Sequence, residues 1–335
     1  MIHVPPVATP HFVQIHHTNN ADLRAELQAG LMAQPAHAAP KFFYDALGSR
    51  LFDAITELQE YYPTRTEAAI VAAHGPAMAR CVPPHAVLID LGAGSCAKAA
   101  RLFPVLAPAA YVAVDISVDY LRDALGTLQQ RHPSLPILGL GLDFSAELAL
   151  PPEAQAWLTD HALQQAPRCV LYPGSSIGNF SPAEALALLR QARTLCAQGG
   201  AGGGLLIGVD RVKDRAMLEP AYDDALGVTA AFNRNLLLHV NQLLGSDFAP
   251  ARWAHVACFN ATKSRIEMHL VSQGEQTVRW PGGERHFADG ERLHTENSYK
   301  WTPEAFADLL QQAGFAAPTE WSDDQGWFSV FWAPA

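Results

Sequence analysis

The stretch Val87-Leu88-Ile89-Asp90-Leu91-Gly92-Ala93-Gly94-Ser95-Cys96 decides how this chain folds. Its first five residues read as a buried strand. Two glycines one residue apart then let the backbone turn sharply and come close to a ligand, and the residues after Cys96 open a helix. Strand, glycine loop and helix in that order make a nucleotide-type loop at the edge of an open α/β sheet. The plainer alternative is a tight strand-to-helix turn that binds nothing.

Outward from this loop, apolar runs alternate with helical patterns: strand 87–91, helix 97–106, strand 111–114, helix 119–131, strand 137–142, helix 153–165, strand 169–172, helix 182–196 and strand 205–209. Such alternation predicts a parallel, doubly wound sheet. The glycine run 199–204 reads as a flexible turn into the last of these strands. After Asp210 the texture changes to a long helix, 228–244, and β-like runs at 253–260, 266–272 and 277–280. A helix at 303–313 and runs at 317–321 and 327–332 follow, placed to rejoin the main sheet. The expected fold class is α/β, a Rossmann-like sheet with a second, inserted α+β domain. Residues 1–40, rich in Pro, Ala and His with one helix at 21–33, read as an N-terminal arm; 41–210 plus about 300–335 form the sheet domain and 211–299 the inserted domain. Within the sheet domain, Phe42, Phe43, Leu47, Leu51, Phe52 and Ile55 fall at helical spacing and a helix is expected at 67–80.

Composition limits the partners. The chain has 335 residues, 49% hydrophobic and 17% charged, with a formal net charge of −10. That is enough apolar material for a full core, and the acidic balance argues against a phosphate backbone, whose affinity rests on Lys and Arg. No run approaches eighteen apolar residues, and no basic region followed by an apolar run opens the sequence, so neither membrane insertion nor export is expected. The chain reads as cytoplasmic, a monomer fits it, and a small-molecule substrate suits it best. Five scattered cysteines, none spaced CxxC, suggest reduced thiols. Among fourteen histidines His16-His17 is the only adjacent pair and no HExxH occurs, so no metal is expected.

Two cofactors compete for the glycine loop. Gly92, Gly94 and Ala97 satisfy the GxGxxG/A form of a dinucleotide site, with Asp115 ending the next strand to grip ribose hydroxyls. Three features favour S-adenosylmethionine: Asp90 two residues before the first glycine, Cys96 followed by Lys98 in place of a clean pyrophosphate-facing helix start, and Asp143-Phe144 ending the third strand. The last pair offers an acceptor for the adenine amino group and a ring for its face. All of these stand at carboxyl ends of strands, where ligands of open α/β sheets bind.

Further motifs carry a resemblance: Tyr44, Tyr61-Tyr62-Pro63-Thr64-Arg65, Gly174-Ser175-Ser176-Ile177-Gly178-Asn179, Ala221-Tyr222-Asp223-Asp224, Phe232-Asn233-Arg234-Asn235, Arg265-Ile266-Glu267-Met268 and Thr295-Glu296-Asn297-Ser298. In this content and order the chain resembles the histidine Nα-methyltransferases of ergothioneine biosynthesis, from about Lys41 onward. It departs from their pattern at Asn297 and at Arg211, where apolar residues are usual. The resemblance implies a Rossmann-like methyltransferase domain with an inserted substrate domain, and trimethylation of the α-amine of L-histidine to hercynine by S-adenosylmethionine. Carried over by position, Gly92, Lys98, Asp115, Asp143 and Phe144 would contact the cofactor, with Asp90 and Gly94 beside them. Asn179 and Tyr222 would hold the carboxylate and amine end of the substrate. Tyr61, Glu296 and Ser298 would surround the imidazole, and Tyr44, Phe52, Gly174 and Met268 would line the rest of the pocket.

Taken without that resemblance, these residues read more plainly. Glu296 near Arg292 and Lys300 is a solvated surface acid, Asn179 a cap for the helix after Pro182, Tyr222 a helix-start or core aromatic, and Met268 ordinary core. With it, Asn179 aligns the amine for in-line attack, Tyr44 is the candidate proton relay, and aromatic faces such as Phe52 tolerate a product cation. Specificity for histidine should hang on Glu296 and Ser298.

Overall fold

A computed structural model describes residues 9–14, 20–145 and 147–335; His16-His17 lie outside them. In chain order the strands are β1 (His11–Gln14), β2 (Val87–Leu91), β3 (Ala110–Asp115), β4 (Ile137–Gly141), β5 (Pro167–Tyr172), β6 (Gly200–Asp210), β7 (Trp253–Asn260), β8 (Arg265–Ser272), β9 (Gln276–Trp280), β10 (Gly283–Phe287), β11 (Arg292–Tyr299), β12 (Thr319–Ser322) and β13 (Phe328–Pro334). The helices are α1 (Asn20–Met32), α2 (Ala46–Thr56), α3 (Tyr62–Cys81), α4 (Ala97–Leu106), α5 (Val118–Arg131), α6 (Pro152–Asp160), α7 (Pro182–Ala197), α8 (Arg215–Leu218), α9 (Val228–Leu244) and α10 (Pro303–Gln312). No helix among the described residues is long and apolar enough to cross a membrane.

Every residue of β2, β3 and β4 is buried, as expected of parallel strands covered on both faces. They belong to one eight-stranded sheet of order β1-β4-β3-β2-β5-β6-β13-β12. Strands β1 to β6 run parallel, while β13 is antiparallel to β6 and β12 to β13. The order reverses between β2 and β5, so the crevice at their carboxyl ends is the switch point where such sheets bind ligands. The fold class is the expected one. The two C-terminal strands join the main sheet.

Several local expectations are corrected. Gly200–Gly204 is not a turn but the start of β6, which pairs with both β5 and β13. A Cβ on Gly203 would lie 2.7 Å from the Arg168 carbonyl, so the glycines serve close strand approach. Helix α6 stops at Asp160 instead of reaching 165, because the chain turns through Ala162 at φ +56°. Helix α3 starts five residues earlier than expected, with Pro63 in its first turn, where a missing N–H costs nothing. Part of the N-terminal arm is a sheet strand: β1 pairs with β4 and lays Phe12 over Gly139, whose added Cβ would meet that ring at 2.5 Å.

The second region is built on a three-stranded antiparallel sheet, β11-β8-β7, and the hairpin β9-β10. Strand β10 is missing from the sequence-based runs because charged residues break its apolar alternation. Helix α9 packs its Phe232, Leu236 and Val240 into a core with Leu270, Trp253 and Phe287. That core also takes Leu27 and Leu31 of α1, and Phe42, Phe43 and Tyr61. The segment that leads into the main sheet therefore packs with the inserted strands, and the gap between the regions is walled by both.

Candidate active site

Strand β11 sets the polar wall. Glu296 and Ser298 alternate to one face, and Glu296 pairs across the strands with Met268, while a bulge at Thr295 shifts the register just before them. Facing them are Tyr44, Phe52 of α2, Tyr61 at the start of α3, Gly174 after β5, Asn179 in the 3-10 turn Ser176–Asn179, and Tyr222. All nine residues expected on the substrate side line this one cavity of ≈ 490 Å³.

The turn at its base follows from conformation and capping. Gly174 has φ +76° and donates its N–H to both oxygens of Glu67, at 2.8 and 3.0 Å, and Ser175 follows at φ +60°. Asn179 does not cap the next helix: Ser181 does, in a reciprocal capping box with Glu184. The Asn179 amide is thereby left for the cavity. Four aromatic neighbours form a box, with centroids 5.8 Å apart for Tyr44–Phe52, 5.9 Å for Tyr44–Phe232, 6.0 Å for Phe52–Phe232 and 6.2 Å for Phe52–Tyr61.

Glu296 is no surface acid: it is 8% exposed, and among the described residues no hydrogen bond or ion pair engages its carboxylate. Burial pushes its pKa up to about 7, against a smaller downward pull from Lys300. Burial, then Glu296, raises the Tyr44 phenol well above 10. Burial likewise raises Tyr61, with Tyr222 adding to it, and Tyr222, with Asp210 adding to it. These phenols stay protonated at any working pH.

Beneath this wall lies a charge cluster that the sequence did not disclose. Lys300, its side chain fully buried, bonds Asp210 at 2.7 Å and both Tyr222 and Ser298 at 2.8 Å. Asp210 also accepts from Tyr62 and pairs with Lys213. Burial alone would raise the Asp210 carboxyl, but Lys300 and then Lys213 overcome it and hold it below its usual range. Desolvation lowers Lys213 to about 8. Phe232, Thr229, Ser176 and Ile55 also reach the cavity without having been singled out. Phe232 stood in a quoted motif, and only its place in the aromatic box gives it a role.

On the cofactor side, Gly92 (φ +67°) and Gly94 (φ +50°) shape the loop after β2. Asp115 accepts from Gly94 N at 2.8 Å and Ser117 N at 2.8 Å; burial nonetheless raises its pKa. The Phe144 ring lies 4.0 Å from where a Gly92 Cβ would be. Asp143 is bound by Lys41 at 3.1 Å and by Ser145; burial opposes its ionisation, but Ser145 and Lys41 prevail and lower its pKa. Glycine backbone, two acids and a ring fit an adenosyl group. Two expected members already have partners within the protein. Asp90 is buried and takes the Tyr111 hydroxyl at 2.6 Å, its pKa raised by burial to about 7. Lys98 lies 3.6 Å from Glu67 and lines a second cavity of ≈ 390 Å³ between α3, α4 and the sheet. Away from both, Cys258, Glu267 and His269 bring ligand-type atoms within 4.8 Å of one another on the other face of β7 and β8, where Arg265 and Asn260 already take Glu267 Oε1.

The sequence profile of the S-adenosylmethionine-dependent, histidine-specific methyltransferases matches residues 23–335. The chain belongs to that family. The match begins before residue 41, so it takes in most of α1. Among relatives of this histidine-specific methyltransferase, the histidine N-alpha-methyltransferase of Mycolicibacterium smegmatis is 38% identical over 314 residues, 92% of this chain and 93% of that protein. The ergothioneine biosynthesis protein 1 of Neurospora crassa is 28% identical over 86% of this chain, which spans 32% of that longer protein. The 4-dimethylallyltryptophan N-methyltransferase ifgB of Penicillium roqueforti is 25% identical over 89% of both.

Proposed function

We propose that this enzyme transfers three methyl groups from S-adenosylmethionine to the α-amine of L-histidine, giving hercynine for ergothioneine biosynthesis. The observation that carries this reading is the buried Glu296 carboxylate, free of hydrogen bonds among the described residues and opening on the same cavity as the Ser298 and Tyr222 hydroxyls. An imidazole offers one N–H and one lone pair, which Glu296 and a hydroxyl would take. An indole has only the N–H and leaves a polar group unpaired, which such sites reject by ~10⁴-fold or more.

In this reading Gly92, Gly94, Asp115, Asp143 and Phe144 hold the cofactor, which supplies a sulfonium methyl. Asn179 fixes the carboxylate and amine end of histidine, so the nitrogen points at that methyl, an alignment worth up to ~7–11 kcal/mol, while Tyr222, bonded to Ser298 at 2.7 Å, belongs with the wall that meets the imidazole. The ammonium must lose a proton before each transfer, and the partly dry cavity favours its neutral form. Tyr44, whose phenol keeps its proton, serves as a hydroxyl link in that relay and not as an anionic base. The box of Tyr44, Phe52, Tyr61 and Phe232 suits a trimethylammonium product through cation–π attraction. We assign 211–299, with 20–61 packed on it, as the substrate domain and 62–210 with 300–335 as the cofactor domain, the active cavity lying between them.

Mass spectrometry after incubating the protein with S-adenosylmethionine and all twenty amino acids tests this. Gain of three methyl groups by histidine alone is expected; methylation of another amino acid instead would remove Glu296 and Ser298 from their roles.

A further inference from the structure

Lys300 follows the strand that carries Glu296 and Ser298, two residues beyond Ser298 and on the same face. A buried ammonium is tolerable only when its protons are all taken, and here three oxygens take three: Asp210 Oδ2 at 2.7 Å, Tyr222 Oη at 2.8 Å and Ser298 Oγ at 2.8 Å. Asp210 is itself fixed by Tyr62, Lys213 and, through its backbone N–H, Ser175 Oγ at 2.9 Å, so the lysine cannot drift. The Tyr222 and Ser298 oxygens are 2.7 Å apart. At that distance one hydroxyl must donate to the other, since two lone pairs would repel.

Counting protons gives a result that no single residue shows. Lys300 donates to both oxygens and accepts nothing, so it absorbs neither hydroxyl proton. One of the two is consumed between Tyr222 and Ser298. One remains to point into the cavity.

We propose that Lys300, anchored on Asp210, is a specificity-determining positioning residue: it locks Tyr222 and Ser298 into a unit that presents one proton, not two, to the substrate. The inference rests on the reading that this cavity holds histidine. It deepens that reading by making the polar wall a matched pair, an acceptor at Glu296 and a single donor beside it. A neutral imidazole satisfies both. A side chain with two donors, or with none, leaves one of them unmet. Either hydroxyl can be the outward donor, because the bond between them reverses without moving a heavy atom.

The test keeps Lys300 intact and measures L-histidine binding by calorimetry, in the presence of S-adenosylhomocysteine, to the wild type, Tyr222→Phe, Ser298→Ala and the double variant. If one proton is shared, either single variant retains an outward donor and loses only ~10-fold in affinity, whereas the double variant loses at least ~10-fold more than the product of the two single losses. Losses that multiply to within about threefold would mean two independent donors and would overturn the proposal. Lys300→Met gives a second readout: KM for histidine should rise by ~30-fold or more, exceeding the fall in kcat, with affinity for S-adenosylmethionine unchanged. The acid limb of kcat/KM should also move to higher pH, since the charge that counters burial of Glu296 is gone. A merely structural lysine would lower cofactor affinity along with stability, without the split between KM and kcat. Should Lys300→Met not fold, the Tyr222/Ser298 cycle decides alone. Failure of the wild type to bind histidine would refute the functional reading; tight binding with multiplicative losses would sink only this inference.

Discussion

Replacing Glu296 by Gln should make the ligand-free protein more stable at alkaline pH while removing its hold on histidine. Burial raises this carboxyl from an ordinary 4.5 to about 7. A group whose folded pKa lies above its unfolded value contributes stability that is fully present below the unfolded pKa, here near 4.5, and is lost as pH rises through the folded one. The shift is about 2.5 units at ~1.4 kcal/mol each, so the wild type gives up ~3 kcal/mol of stability between about pH 4 and pH 8.5 that a neutral glutamine does not. Imperfect pairing of the new amide reduces the gain, leaving ~1–2 kcal/mol for Glu296→Gln at pH 8.5 and little difference at pH 5. Urea unfolding of both proteins at the two pH values reads this directly. The same variant should bind histidine ~10²-fold or more weakly, because an amide cannot supply the charge-assisted acceptor. A variant less stable than the wild type at pH 8.5, or one that binds histidine normally, would refute the reasoning: the first by showing that the carboxylate is paired, the second by showing that it does not face the substrate.

Other outcomes follow from the same geometry. The kcat/KM of the wild type for histidine should fall as pH drops through about 7, where Glu296 takes up a proton, and a pH profile with no limb near there would contradict its role. Asn179→Ala should lower kcat as well as raise KM, by ~10²-fold in kcat/KM, because it removes alignment and not only affinity; steady-state kinetics separates the two. Asp210→Asn leaves Lys300 and Lys213 without their counter-charge and should cost ~3–5 kcal/mol in denaturant unfolding. Gly174→Ala introduces a Cβ at φ +76°, 2.1 Å from the Lys98 ammonium; the lysine can swing away but the backbone cannot, so ~1–2 kcal/mol of stability should be lost, with a raised KM for histidine.

The sequence by itself determined the sheet. Strand, glycine loop and helix at Val87 to Cys96, and the alternation that follows, rest on contacts local in the chain, where periodicity of burial and the conformational freedom of glycine are directly legible. It also pointed to nine of the residues that line the cavity beside β11, but by resemblance; their residue types alone read as a surface acid, a helix cap and core packing. Tertiary structure decided the rest. Glu296 and Lys300 become a buried carboxylate and a buried ammonium only because β11, at the edge of a sheet that α9 covers, packs against the turn after β5, and no local pattern separates such charges from solvated ones. The glycines from Gly200 to Gly204 look like a hinge until Arg168 and Ala333 close on them from the neighbouring strands. Lys300 meets Asp210 across the whole inserted stretch 211–299. The energy of a charge is set by what surrounds it, and what surrounds it is chosen by the whole fold.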